Sequence, residues 1–156
     1  MNDIVKFVHL LSIVVWLGML LFFTFLAAPS IFKVLPREAA GAVVGDIFPK
    51  YWAVGYVAGA LSLITLIIIS YAEKGFPAAR ILILAVMTAT TFYSGLSVGA
   101  RAREIKAEIR VTEEAGKKEA LRKDFLKVHF ISSVLNIVVI ALGLVLVFLT
   151  ARGMRV

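Results

Sequence analysis

The only imidazoles in this chain are His9 and His129, and they are its clearest candidates for chemistry. A histidine can ligate a metal or a haem iron, and it can donate or accept a proton. His129 does not stand alone. Ser132, Ser133 and Asn136 follow it, and at about 100° per residue the four share one helical face, which Gly143 continues. No formal charge occurs between Val128 and Thr150. A polar face on so apolar a helix has to point at protein or into a hydrated cavity, because lipid cannot satisfy it. His9, Ser12 and Trp16 form a second polar face in the first apolar run. Val8-His9-x-x-Ser12 matches Val128-His129-x-x-Ser132 in helices expected to run in opposite directions, a relation found in transporters but here only a few residues long.

Geometry limits what these residues can do. Bis-histidine ligation of haem b needs both rings on one iron. His9 lies about one turn into the first apolar run and His129 about one turn into the last, from opposite faces. Across a hydrocarbon core of ~30 Å they would stand ~20 Å apart. Haem b held by one histidine, or across a dimer, is therefore the alternative reading, and no cofactor is the expectation. The chain has no cysteine and no carboxylate inside its apolar runs, so no metal site is expected. There is no nucleophile–base pair, carboxylate dyad or phosphate loop, which leans away from an enzyme. What remains is a ligand-binding cluster. Arg37 after the first run, Tyr51 opening the second, Arg101 closing the third and His129 opening the fourth reach one depth. Arg37 and Arg101 would offer guanidinium forks to an anion, with Ser133 and Asn136 leading polar groups inward. The competing reading is structural: arginines snorkel at membrane edges, and Ser, Asn and His join helices by hydrogen bonds.

Four apolar runs must position these residues, at about 4–28, 52–72, 81–100 and 128–150, each long enough to cross a bilayer as a helix. The first is too long for the core of a signal peptide, and no convincing A-x-A site follows it. Pro29 ends or kinks it. Pro36 suits the first position of a helix, and Arg37–Phe48 reads as a short amphipathic one lying in the interface. Phe48, Lys50, Tyr51 and Trp52 then read as an aromatic anchor at the membrane edge. Gly55 with Gly59, and Gly95 with Gly99, are GxxxG pairs that favour close helix contact, within the chain or in a homo-oligomer. Gly75 and Pro77 shorten the turn at 73–80, so the second and third runs are antiparallel neighbours. From 101 to 127 the chain is strongly charged, and Glu113 with Lys117 and Glu119 with Lys123 support a helix. This stretch reads as a hairpin that runs to about Glu114, turns near Gly116 and returns into the fourth run.

Composition agrees. Hydrophobic residues make up 61% of the chain, where a soluble domain is nearer half. The net charge of +7 would point to nucleic acid in a soluble protein. On apolar helices it points instead to anionic lipid and a cytoplasmic face, so the expected partner is the bilayer and not nucleic acid. The absence of Cys and Gln, with Asn only at Asn2 and Asn136 and a loop rich in Lys, Glu and Arg, resembles the composition of thermophile proteins.

Four stretches share a pattern with one family. They are Val8-His9-Leu10-Leu11 with Trp16, Gly18, Met19, Thr24 and Phe25; Leu35-Pro36-Arg37; Phe48-Pro49-x-Tyr51; and Phe125-x-x-x-His129-x-x-Ser132-Ser133-x-x-Asn136, with Ala100-Arg101 as a weaker fifth. Together they resemble the transmembrane protein 205-like family of four-helix membrane proteins. The resemblance implies a four-span fold and no established reaction. In its first helix alone the chain also resembles copper-resistance D-like and membrane protoporphyrinogen-oxidase-like proteins.

The expected fold is thus an all-α, integral membrane four-helix bundle, a single domain over 1–156, with an interfacial helix between spans one and two and a charged hairpin between spans three and four. The expected role is binding or transport of a small anionic or amphipathic solute. A haem-binding redox protein and an oligomeric packing module are the alternatives. Of the 17 Lys and Arg residues, 12 fall within 33–50 and 101–127 and the other five elsewhere. The positive-inside rule then makes this a multi-pass protein of the cell (inner) membrane with both termini outside. A reporter fused after Val156 should be active only outside the cell, and one inserted at Gly116 only inside. The reverse result in both fusions would invert the topology.

Overall fold

In lipid, every backbone amide must be satisfied within the protein, and apolar runs of this length do so as helices. A computed structural model describes residues 2–153. Helix α1 (Asn2–Phe22) passes through a π turn (Phe23–Ala27) into α2 (Ala28–Val34). Helix α3 spans Arg37–Ala72. Helix α4 (Ala78–Tyr93) passes through a second π turn (Ser94–Val98) into α5 (Gly99–Val111), and α6 spans Ala115–Gly153. These elements form four rods, each long and apolar enough to cross a membrane, and no strand occurs among the described residues. The protein is an all-α membrane bundle. Arg155, counted above among the basic residues, lies outside the described residues.

The rods pack in chain order. α1 lies beside α3, α3 beside α4, and α4 and α5 beside α6; α6 closes the ring against α1 along the sparsest of the four seams. Trp16, Leu66, Leu84, Met87 and Leu146 fill the centre. Phe7, Val14, Phe22, Ile64 and Phe148 point outward, as befits a surface solvated by lipid tails.

Three sequence expectations change. First, the interfacial helix is not separate: residues 37–50 are the opening turns of α3, which runs unbroken through Pro49. Pro49 cannot donate to the Gly45 carbonyl and its ring crowds that carbonyl, yet the helix continues on both sides of it. The Lys106 ammonium lies alongside and donates to the Gly41 carbonyl at 2.6 Å. The chain turns only at Leu35 and Pro36, where the residue before proline is extended (φ −103°, ψ 147°). Second, Tyr51 and Trp52 are no interfacial anchor; each is only 8% exposed. Trp52 stacks on Phe48 at 5.1 Å, carries the Arg103 guanidinium 5.5 Å from its ring centre, and lies flush against Gly95 and Gly99, where an added Cβ would overlap the indole. Gly55 and Gly59 face Trp16, Thr88 and Thr91 in the same way. Both glycine pairs therefore serve contacts within the chain, and the surfaces expected for a homo-oligomer are already covered. Third, the hairpin turns at 112–114 rather than near Gly116. Thr112 is extended and closes α5 by returning both its amide (3.0 Å) and its hydroxyl (2.7 Å) to the Glu108 carbonyl. Gly116 sits in the first turn of α6.

The two glycines give opposite expectations. Gly99→Ala should destabilise the bundle by roughly 1–3 kcal/mol, because Trp52 must shift. Gly116→Ala, with nothing within 4 Å of the new Cβ, should stabilise it by up to about 1 kcal/mol. Denaturant unfolding in detergent measures both. Amide exchange should show slow amides through α5 and α6 with a fast gap at Thr112–Glu114.

Candidate functional site

The kinks create a space. Pro29 has no amide hydrogen, and its ring crowds the Phe25 carbonyl one turn back. The π turn absorbs this: the Ala28 amide bonds the Phe23 carbonyl, five residues back. The second π turn bonds the Gly99 amide to the Ser94 carbonyl in the same manner. Turns of this type add a residue to the helix and often mark functional positions. Both flank a cavity of ≈ 320 Å³ in the hairpin half of the bundle, at the lower end of the range for small-molecule sites.

Its walls are apolar and largely aromatic. Phe23, Phe48 and Tyr51 meet at centroid distances of 5.3–5.9 Å, and Trp16, Trp52 and Phe32 add to the lining. Its polar floor is a chain of hydrogen bonds across three helices. The Tyr51 hydroxyl on α3 donates to Asn136 Oδ1 on α6 at 2.6 Å, and Asn136 Nδ2 donates to Thr24 Oγ1 at 2.8 Å. The Thr91 and Ser133 hydroxyls return to carbonyls of their own helices, Met87 O and His129 O, each at 2.9 Å. The exposed members of the lining, Pro29 and Phe32 on one side and His129, Ser133 and Ile137 on the other, place the mouth between α2 and α6. The mouth therefore opens sideways, on the loosest seam.

Tyr51, His129, Ser133 and Asn136 come together here as lining residues, joined by Ser132 and by Trp16 from the second polar face. Arg37 and Arg101 do not. Both are exposed, and Arg101 pairs with Glu104 at 3.1 Å on its own helix. Each lies about two turns along its helix from the nearest lining residue, Arg37 from Val44 and Arg101 from Ser94, on the bundle's outer surface. His9 and Ser12 are also elsewhere. His9 is 4% exposed in the opposite half, its Nδ1 3.0 Å from the Ser62 carbonyl and 3.1 Å from Thr65 Oγ1, while Ser12 donates to the Val8 carbonyl at 2.7 Å. At 1.5 Å per residue, His9 lies ~22 Å along its helix from Thr24, so the two histidines do not meet on one ligand. Among the described residues, no three His, Asp or Glu side chains gather as a metal site. Sequence reasoning missed Thr24, Thr91 and Ser94 as cavity residues. A hydroxyl in an apolar run was the available signal, and helical spacing agrees with it: Thr24 follows Leu17 and Leu20, and Ser94 follows Met87 and Thr91, at steps of three and four.

Residues 11–110, more than half of the chain, match the family described as "Domain of unknown function (DUF4149)". The chain belongs to that family. The match takes in the cavity walls from α1 to α5 and stops before α6, which supplies His129, Ser133 and Asn136. An "Uncharacterized protein" of Aquifex aeolicus (strain VF5) is 48% identical over 48 residues, 31% of this chain and 36% of that relative. The similarity thus spans about a third of the relative's length. No solved structure matches.

Removing one end of the polar floor should cost less than removing its centre. Tyr51→Phe should destabilise by about 0.5–1.5 kcal/mol, one hydrogen bond. Asn136→Leu should cost more, because it strands both the Tyr51 hydroxyl and Thr24. In the double variant, the Tyr51 change should then cost almost nothing. Equal and additive losses would mean that the three groups do not act as one chain.

Proposed function

We propose that this DUF4149-family protein binds a neutral amphipathic molecule drawn sideways from the bilayer between α2 and α6. The observation that carries this reading is the Tyr51–Asn136–Thr24 chain at the floor of an aromatic cavity whose mouth opens sideways between α2 and α6. A ligand seated there would bury an apolar or aromatic body against Phe23, Phe48 and Trp52. Its polar end would meet the second amide hydrogen of Asn136, which Thr24 leaves unused, and the hydroxyl of Thr24. Arg37 and Arg101 stay outside the lining, which favours a neutral head over an anionic one. With the topology argued from charge, the mouth lies in the cytoplasmic leaflet of the cell membrane. Kinship with transmembrane protein 205-like proteins belongs to the same reading, as four-span bundles without a catalytic constellation.

The chain reports on its own cavity. Trp16 and Trp52 are its two tryptophans, and both line it. A brominated medium-chain alcohol added to protein in nanodiscs should quench their fluorescence saturably. A brominated carboxylate of the same length should act at least tenfold more weakly. Ala28→Phe and Ser133→Phe, on opposite sides of the mouth, should each abolish the saturable part. Quenching that rises linearly with probe in wild type and both variants would sink the proposal.

A further inference from the structure

The half of the bundle beyond the cavity carries a different anomaly. Four buried side-chain atoms make no hydrogen bond within the protein: His9 Nε2, Trp16 Nε1, Ser62 Oγ and Thr88 Oγ1. Buried polar groups are nearly always paired, because an unpaired one forfeits its hydration with no return. These four are not scattered. Trp16 Nε1 lies 3.5 Å from where a Cβ of Gly55 would be, and Thr88 Oγ1 lies 3.0 Å from the same point on Gly59. Ser62 is the next residue on that face of α3, and its carbonyl meets His9 Nδ1. All four therefore follow one stripe of α3, Gly55–Gly59–Ser62, beginning at the cavity wall and ending at His9. Trp16, Ser62 and His9 are 1%, 0% and 4% exposed, so the stripe is sealed.

A sealed column of unpaired polar atoms is a costly arrangement for a protein's sole state. We infer that the stripe is the closed form of a second polar passage. It opens when α1 moves away from α3 and α4, admits water, and joins the cavity to the His9 end of the bundle. Three features suit this movement. Glycines at 55 and 59 let α1 and α4 close flush on α3 without interlocking side chains of α3. The π turns at Phe23–Ala27 and Ser94–Val98 interrupt the rods at the cavity, between the stripe and the hairpin. At the far end α1 is held to α3 by the contacts of His9 Nδ1 with the Ser62 carbonyl and Thr65 Oγ1, which opening must break, and beyond them only by an ion pair, Lys6 with Glu73 at 2.6 Å, about half exposed on both sides and hence a weak tie. Alternate opening of the cavity mouth and of this stripe would give the bundle access from both faces of the bilayer.

The chain has no cysteine, so single thiols can be placed on a silent background. A thiol reacts as thiolate, which forms in water and not in a dry core. In nanodiscs, modification by a small water-soluble methanethiosulfonate, followed by mass spectrometry, should be fast for Ser133→Cys at the cavity mouth and negligible for Leu84→Cys in the core. Ser62→Cys and Thr88→Cys should react at measurable intermediate rates. Adding Thr88→Val removes an unpaired hydroxyl from the closed state and should slow Ser62→Cys by about tenfold. If Ser62→Cys and Thr88→Cys are as inert as Leu84→Cys, or if Thr88→Val leaves the Ser62→Cys rate unchanged or raises it, the passage does not exist. The Trp-quenching signal of the cavity, retained in each variant, shows that it is folded. Thiol rates need no cavity ligand and quenching needs no passage, so either idea can fail without the other.

Discussion

Asn136 is the polar group on which the cavity half of this bundle depends. It lies in a charge-free stretch of α6, where an amide facing lipid would go unsatisfied. It is satisfied instead by Tyr51 at 2.6 Å and Thr24 at 2.8 Å, and in doing so it ties α6 to α3 and to the kinked end of α1. In lipid there is no hydrophobic force to hold apolar helices together, so close packing and such hydrogen bonds carry the association. The α1–α6 seam is sparse in contacts, and this one bridge crosses it at cavity depth.

Packing and polarity divide the labour elsewhere. On the α3–α4 side, glycines receive aromatic rings: Trp52 against Gly95 and Gly99, Trp16 against Gly55 and Gly59. On the α6 side, Gly143 receives Leu17 and Met87. These contacts are close. The α2–α6 edge has no equivalent, and Pro29 with the π turn before it lies on that edge. The cavity is the result of a tight corner facing a loose one.

The bundle is also uneven along its axis. In the hairpin half, the polar side chains of the floor are paired with one another. In the other half, His9, Ser62, Thr88 and Trp16 each keep an atom unpaired within a sealed stripe. Membership of the DUF4149 family covers the chain from within α1 to α5 and brings no reaction with it. The physical contrast between the two halves is the better guide to what the bundle does.

Much of this was readable in the sequence, for a definite reason. Helices in lipid satisfy their own backbone, so long charge-free runs dictate spans without reference to any partner. Four such runs, the antiparallel turn at 73–77 and the helical character of the charged hairpin follow from local composition alone. The shared face of His129, Ser132, Ser133 and Asn136 follows from helical period. Tertiary structure decided the rest. Pro49 reads as a helix break, yet α3 runs on through it, and Lys106 of α5 packs against the opening turns at the Gly41 carbonyl. Tyr51 and Trp52 read as interfacial because aromatics beside a lysine often are; opposing glycines on another helix drew Trp52 inward. Arg37 and Arg101 shared a depth with the cavity mouth on paper, but depth is one coordinate, and both side chains lie on the outer surface about two turns beyond the lining. The π turns at Phe23–Ala27 and Ser94–Val98 shift register by one residue, and such a shift becomes visible only when the neighbouring helices are present to receive it.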